Sequence, residues 1–287
     1  MHADQTCHHS KYLRNPQSNP ITASVLMSKP NPKSGHTVLN GILNIDKPIG
    51  ITTMDVVRHI KKASLQKHVG HGGTLDPIAT GVVAICLGQA TRMMKYLIED
   101  SKQYIGQIRL GIETDTYDAL GKITRIRDTS KVSLHQIEDA LDGFKGSIDQ
   151  VPPMYSALKK NGVRLYHLAR AGVEVKRDSR KVFISKIEIL NWDTPILEVK
   201  ITCGRGFYVR SLAHDLGHAL KCGGHIKTLN RLRTGPFKLS DAIPLEEAEH
   251  KLRNNDFENL IYTPDTVVKP FRAAIVGKEH ETMIRHG

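Results

Sequence analysis

The chain has 287 residues, 39% of them apolar and 5% aromatic, and a formal net charge of +12. That length supports one large, mainly aliphatic core, alone or with a small second unit. The excess positive charge points to a polyanionic partner, nucleic acid first among them, although a basic surface kept for solubility has the same composition.

Four cysteines, Cys7, Cys86, Cys203 and Cys222, share no C-x-x-C spacing. This argues against a zinc site and suits a reducing cytosol, so a cytoplasmic location is expected. No stretch approaches the ~20 apolar residues of a membrane span. No apolar run follows the first basic residues, as a signal peptide would require.

Residues 1–39 read as a disordered leader, because Pro16, Pro20, Pro30 and Pro32 are scattered among polar residues without apolar periodicity. Four basic residues against Asp4 give this leader +3, so +9 belongs to the remainder. His2, Cys7, His8 and His9 could bind a metal fortuitously, and Met27 is an alternative start. Order is expected from Gly41, with "GILNID" as a short buried strand broken by Pro48, which cannot donate to a ladder. "TTMDVVRHIKKA" reads as a helix capped by Thr52 or Thr53, with Asp55 in its first turn and Lys61 and Lys62 near its end. The β-branched run "VVAICLG" at 82–88 reads as a buried strand, "QATRMMKYLI" as a helix and "QYIGQIRLG" at 103–111 as a strand.

"GIETDTYDALGKI" is a polar loop, followed by an amphipathic helix, "SLHQIEDALDGF", with Ser133 and Gln136 as a capping box. A loop, "VPPMYSALKKNG", leads to a short helix around 163–171. "KVFISKIEIL" and "LEVKITC" are strands, the second alternating cleanly between Leu197, Val199, Ile201 and Cys203 and the polar residues between them. "FYVRSLAHDLGHAL" is a helix ended by Gly223 and Gly224. Strands outnumber helices in irregular order, which predicts an α+β fold: a mixed sheet flanked by helices rather than a regular βαβ wind.

Chemistry concentrates in "GHGGTLDPIATG", residues 70–81. A phosphate-binding loop needs Lys and then Ser or Thr after the last Gly, but Gly73 is followed by Thr74, Leu75 and Asp76. A dinucleotide fingerprint fails too, because Leu75 occupies the place of its third Gly. Asp76 precedes Pro77, which pushes it toward an extended backbone, and the glycines upstream permit close approach of a ligand. Spacing alone leaves both a local Asx turn and a substrate-facing carboxylate open. In "CGRGFYVRSL", 203–212, Arg210 falls in the first turns of a helix, where a cation is electrostatically poor. It therefore either points to solvent or pairs with a carboxylate or phosphate. Lys47 and Pro48 could stiffen a turn or meet an anion, and Tyr104 could pack in the core or stack on a base.

Taken together and in order, these segments resemble the TruB family of pseudouridine synthases, over about residues 40–240. "NIDKPIGITT", "GHGGTLDPIATGV", "KQY" with "LGIETDTYDALGKI", "VPPMYSALKKNGVRLYHLAR", "CGRGFYVRSLAHDLG" and "HIKTLNRLRTGPF" carry the resemblance. It implies the pseudouridine synthase fold, a long mixed and mostly antiparallel sheet with helices around a central cleft. It implies conversion of uridine to pseudouridine at position 55, in the T-loop of tRNA. Asp76 would be the catalytic carboxylate, Arg210 would pair with it, and Tyr104 would stack on the target uracil. Leu229 would line the pocket, and His71 would contact the RNA and hold the base out of its loop. Lys47 and Pro48, counted with the RNA-binding residues, would support the catalytic loop.

The base must leave C1′ through N1, rotate and return through C5, which needs no metal or other cofactor. Attack at C1′, attack at C6 and a glycal route all remain open for Asp76. Guide-RNA-dependent relatives in the family generally lack the "TDTYDALG" loop, so the resemblance implies a stand-alone enzyme without an obligatory protein partner. A monomer is the default expectation, and the intact Asp76, Tyr104 and Arg210 set argues against a non-catalytic RNA-binding module. Full-length bacterial members usually carry a small PUA-type RNA-binding domain, so residues 241–287 are expected to be only the connecting segment toward it.

Overall fold

The computed structural model describes residues 27–28, 37–257, 259–272, 280 and 283. Most of the 1–39 stretch, with Cys7 and the His2, His8 and His9 group, lies outside them. Within that stretch Met27 and Ser28 pair antiparallel with Leu39 and Val38.

The elements around the 70–81 segment come first in the chain. Strand β1 (Gly41–Lys47) runs into a turn and then helix α1 (Thr53–Ser64). Thr52 is the cap: its Oγ1 accepts from the Asp55 amide at 3.1 Å, and Asp55 Oδ2 accepts from the Thr52 amide at 2.8 Å. Strand β2 (Val69–His71) and strand β3 (Ala79–Leu87) bracket the 72–78 loop. The helix expected over 89–98 splits into a 3-10 segment, Gly88–Met93, and α2 (Met94–Glu99). Buried Lys102 closes α2 by donating to the carbonyls of Leu97 (3.0 Å), Ile98 (2.6 Å) and Asp100 (2.7 Å).

Strand β4 (Lys102–Leu110) follows, then a hairpin of β5 (Ile112–Thr114) and β6 (Ile123–Ile126) where a plain loop was expected. Helix α3 (Leu134–Asp142) carries the anticipated Ser133–Gln136 capping box. Strand β7 (Gly146–Gln150) and short helix α4 (Leu165–Arg170) precede the long β8 (Arg180–Asp193) and β9 (Ile196–Cys203). Helix α5 (Val209–Ala219) is followed by β10 (Gly224–Thr234), β11 (Phe237–Lys238), β12 (Ile243–Pro244) and α6 (Leu245–Arg253).

The main sheet has ten strands, in the order β12-β1-β3-β10-β4-β9-β8-β7, with β2 paired to β3 and β11 to β10. Two contacts are parallel, β10 with β3 and β12 with β1; the rest are antiparallel. The expected mixed, mostly antiparallel sheet is therefore present. β1 and β3 are buried on both faces: Leu43, Val83 and Ile85 face one cluster, and Ile42, Val82, Ala84 and Cys86 the other. That double burial is why "VVAICLG" reads as a continuous apolar run. β9 is covered on one face only, so it alternates.

The stretch after residue 240, expected as a connector, packs on this body. β12 pairs with β1, the Tyr262 amide and the Ile42 carbonyl bond at 2.8 Å, and Leu245, Ala248, Leu252 and Leu260 join the main core.

Candidate active site

The 72–78 loop rises from the ends of β2 and β3 and is tied down along its length. The Gly72 amide donates to the Ala84 carbonyl at 2.9 Å. The Thr53 hydroxyl brackets Leu75, accepting from its amide at 2.8 Å and donating to its carbonyl at 3.0 Å. The Gly50 amide donates to the Pro77 carbonyl at 2.8 Å, which joins the turn after β1 to the loop. Leu75 anchors it in the buried cluster that also holds Tyr104 and Leu229. At its far end Gly81 has φ +101°, and a Cβ there would lie 2.3 Å from the Arg231 carbonyl oxygen, so only glycine permits the β3–β10 approach.

Asp76 stands on this mount with its side chain 31% exposed. Arg210 reaches it from the first turn of α5: Nε donates to Oδ2 at 2.8 Å and Nη2 to Oδ1 at 3.0 Å. This is the bidentate fork that a planar guanidinium makes and an ammonium cannot. Arg210 is 3% exposed and has further partners. Nη1 donates to the Thr116 carbonyl at 3.1 Å and Nη2 to the Tyr155 carbonyl at 2.9 Å, and Asp118 Oδ2 lies 3.5 Å from Nη1. The two carboxylates account for a cation placed where the helix dipole disfavours it.

The start of α5 is itself fixed by buried Gln150, whose side-chain amide accepts from the Tyr208 amide at 2.9 Å and donates to the Tyr208 carbonyl at 3.1 Å. Asp118 is held by the Thr116 hydroxyl at 2.7 Å and the Leu120 amide at 3.0 Å. Tyr117, at φ +63°, stacks its ring on His214 of α5 with centroids 3.9 Å apart.

Tyr104 lies on the inner face of β4, 8% exposed, opposite Arg231 of β10. Burial pushes its phenol above the ordinary range. Leu229 is buried on the same face. His71 is half-buried, and its Nδ1 accepts from the Gly73 amide at 3.3 Å, which leaves Nε2 as the free ring nitrogen. Burial lowers its pKa, so the ring is held toward its neutral form.

Lys47 departs from the RNA-binding expectation. It is 0% exposed, and its ammonium donates to the carbonyls of Pro48 at 2.8 Å and Ile51 at 2.9 Å. It closes the turn beside the Asp76 loop and has no exposed surface to offer a phosphate. Burial, with the charge of Arg231, brings it down to about 8 against the pull of Asp76. Pro48 is exposed beside it. Arg205, bracketed by glycines, pairs with Glu99 on the surface, away from Asp76.

Sequence patterns did not identify Asp118, Gln150 or Arg231. Arg231 is 1% exposed; its Nε donates to the Val82 carbonyl at 2.6 Å, Nη1 to Thr74 at 3.1 Å and Nη2 to Gly73 at 3.3 Å. The available signal was Leu229-x-Arg231, which puts an arginine on the same inward face of a strand as the leucine expected to line the pocket.

The structure thus pairs a partly exposed carboxylate with a buried arginine on the mixed, mostly antiparallel sheet that the motifs imply. The family model for the N-terminal domain of TruB family pseudouridylate synthases matches residues 61–209, and that for the tRNA pseudouridylate synthase B C-terminal domain matches 210–276. The chain belongs to the TruB family of pseudouridylate synthases. A TruB relative named tRNA pseudouridine synthase B, from Dehalococcoides mccartyi, is 43% identical over 249 residues, 87% of this chain and 83% of that protein. One of the same name from Clostridium acetobutylicum is 44% identical over 249 residues, 87% of this chain and 84% of that protein. Among solved structures, one of a Cbf5-Nop10-Gar1 complex superposes with a TM-score of 0.68 at 28% identity, over 86% of this chain and 67% of that one. The H/ACA RNP bound to a substrate RNA containing 2′-deoxyuridine gives 0.60 at 27%, over 79% of this chain and 60% of that one. Among the described residues of this TruB member no helix is long and apolar enough to cross a membrane, and no cluster of metal-ligating side chains occurs.

Proposed function

We infer that this TruB-family chain isomerises uridine to pseudouridine in tRNA, at position 55 of the T-loop, with Asp76 as the catalytic carboxylate. The observation that carries the role of Asp76 is the two-point grip of Arg210, which fixes the carboxylate plane while leaving 31% of the side chain open. Each carboxylate oxygen has lone pairs left over after that grip, and these are available to the reacting sugar or base.

The target base is stacked inside a structured loop and must be flipped out, at roughly a few kcal/mol. Stacking on Tyr104 offsets part of that cost, Leu229 lines the pocket, and His71 on the loop rim contacts the RNA. Lys47 and Pro48 hold the turn that supports the Asp76 loop. The body charge of +9 supplies phosphate contacts. The "TDTYDALG" loop supports an enzyme that works without guide RNA or partner protein. The reading is completed by a monomer in the cytoplasm, the latter in keeping with cysteines that share no C-x-x-C spacing.

The test is purified protein and an unmodified tRNA transcript, nothing else added. Carbodiimide labelling read by primer extension should give a stop at the T-loop uridine. Absence of product on naked transcript, with product restored by a guide RNA or partner proteins, would favour the guide-dependent reading.

A further inference from the structure

Arg231 is a buried cation with no counter-ion among the described residues. Its guanidinium forms no ion pair among them; its hydrogen-bond partners are the carbonyls of Gly73, Thr74 and Val82. Removing a guanidinium from water costs several kcal/mol unless the surroundings compensate. Carbonyl dipoles compensate only in part, so a merely structural position would be served as well by an apolar side chain.

The placement of those partners is what distinguishes the site. Thr74 and Gly73 lie two and three residues before Asp76, and Val82 lies just past the other end of the loop. Tyr104 is the direct cross-strand neighbour of Arg231, so the two side chains share one face of the sheet. One planar group thus bonds the start of the loop that carries Asp76 and the strand that follows it, and faces Tyr104 across the strand pair. Arg210 fixes the carboxylate, and Arg231 fixes the backbone two and three residues before it. The Arg231 charge is felt beyond the loop: after burial it is the next cause that brings Lys102 down to about 8.

We propose that Arg231 is a positioning residue for the reaction: it sets the distance and orientation of the Asp76 loop relative to Tyr104, without touching substrate. The fork geometry is essential to this role. Three carbonyls in three directions require at least three N–H vectors in a fixed plane, which a lysine ammonium on a flexible stem cannot reproduce.

The proposal rests on the reading of the chain as a pseudouridine synthase, and the experiment separates the two. Wild-type protein, Arg231→Lys and Arg231→Gln are compared on a T-arm stem-loop by stem-loop affinity, single-turnover rate at saturating enzyme, and melting midpoint. Wild-type turnover tests the activity; only the ratios test Arg231. The expected result is an affinity within threefold of wild type and a rate at least about tenfold lower in Arg231→Lys, with a larger loss in Arg231→Gln, as misplacement by a fraction of an ångström produces. Rates equal to wild type in both variants overturn the proposal. So does a rate loss that vanishes when activity is expressed per molecule able to bind the stem-loop. Failure of both variants to fold assigns Arg231 to structure alone and overturns it too.

Discussion

Arg210 holds both oxygens of Asp76, at 2.8 and 3.0 Å, across 134 residues of chain. The relationship joins the two motifs to which the chemistry is assigned and makes their proposed roles separable. Asp76→Asn keeps the shape of the side chain and loses its charge. It should abolish pseudouridine formation while stem-loop affinity stays within a few-fold, measured by tritium release or carbodiimide labelling beside a filter-binding titration. Retained turnover in that variant would remove Asp76 from the mechanism.

Arg210→Lys tests the fork. The ammonium can reach one oxygen but not hold the carboxylate plane, and the carbonyls of Thr116 and Tyr155 lose their donors. A fall of about 100-fold or more in kcat is expected, with KM little changed, because the lost interaction orients the reacting group rather than binding RNA.

Asp118 gives a milder version of the same experiment. It sits 3.5 Å from Arg210 Nη1 and is fixed by Thr116 and Leu120, so it sets the guanidinium rather than meeting substrate. Asp118→Asn preserves acceptor geometry and removes one charge from a buried ion pair. The expected loss is about tenfold in kcat with unchanged affinity, and Asp118→Ala should lose more, because it also frees the 115–121 loop.

The motifs exposed Asp76, Tyr104 and Arg210 because each belongs to a local pattern: a Gly-rich loop before Pro77, a strand start, a helix start. Their partners were hidden for a physical reason. Asp118 sits in a turn whose composition reads only as polar loop, and Gln150 ends a short strand where an amide looks like a surface residue. Arg231 bonds backbone carbonyls, which have no side-chain signature. Strand β10, central in the sheet, was missed because register shifts between Ile226 and Thr228 and between Arg231 and Arg233 break its two-residue period. By contrast, β9 has no such shift against β4 and could be read residue by residue.

The basic body predicts a salt response distinct from the active-site effects. RNA affinity should fall by at least about 100-fold between ~50 and ~200 mM salt, linearly in log–log form, as released counterions require. The single-turnover rate at saturating enzyme should barely change, because Arg210 is almost fully buried and its pairing with Asp76 is little screened. A rate that tracked the affinity would mean that long-range charge, not the fixed ion pair, governs the chemical step.

Lys47 supplies a pH test of the turn beneath the loop. Its folded pKa, brought down to about 8 by burial first, lies below its ordinary value of 10.5. Between those values the unfolded chain binds the extra proton and the native protein does not, so Lys47 contributes stability that grows as pH rises through this window. That contribution is lost as pH falls through about 8, where a buried charge must be carried. Tyrosines and cysteines whose pKa values burial raises act in the opposite sense at high pH, so the measurement must be a difference. Denaturant unfolding of wild type and Lys47→Met, compared from pH ~8 to pH ~10.5, should show the wild type gaining on the order of 2 kcal/mol relative to the variant. A difference independent of pH would mean that the Lys47 ammonium keeps its ordinary pKa, hydrated rather than buried against the carbonyls of Pro48 and Ile51.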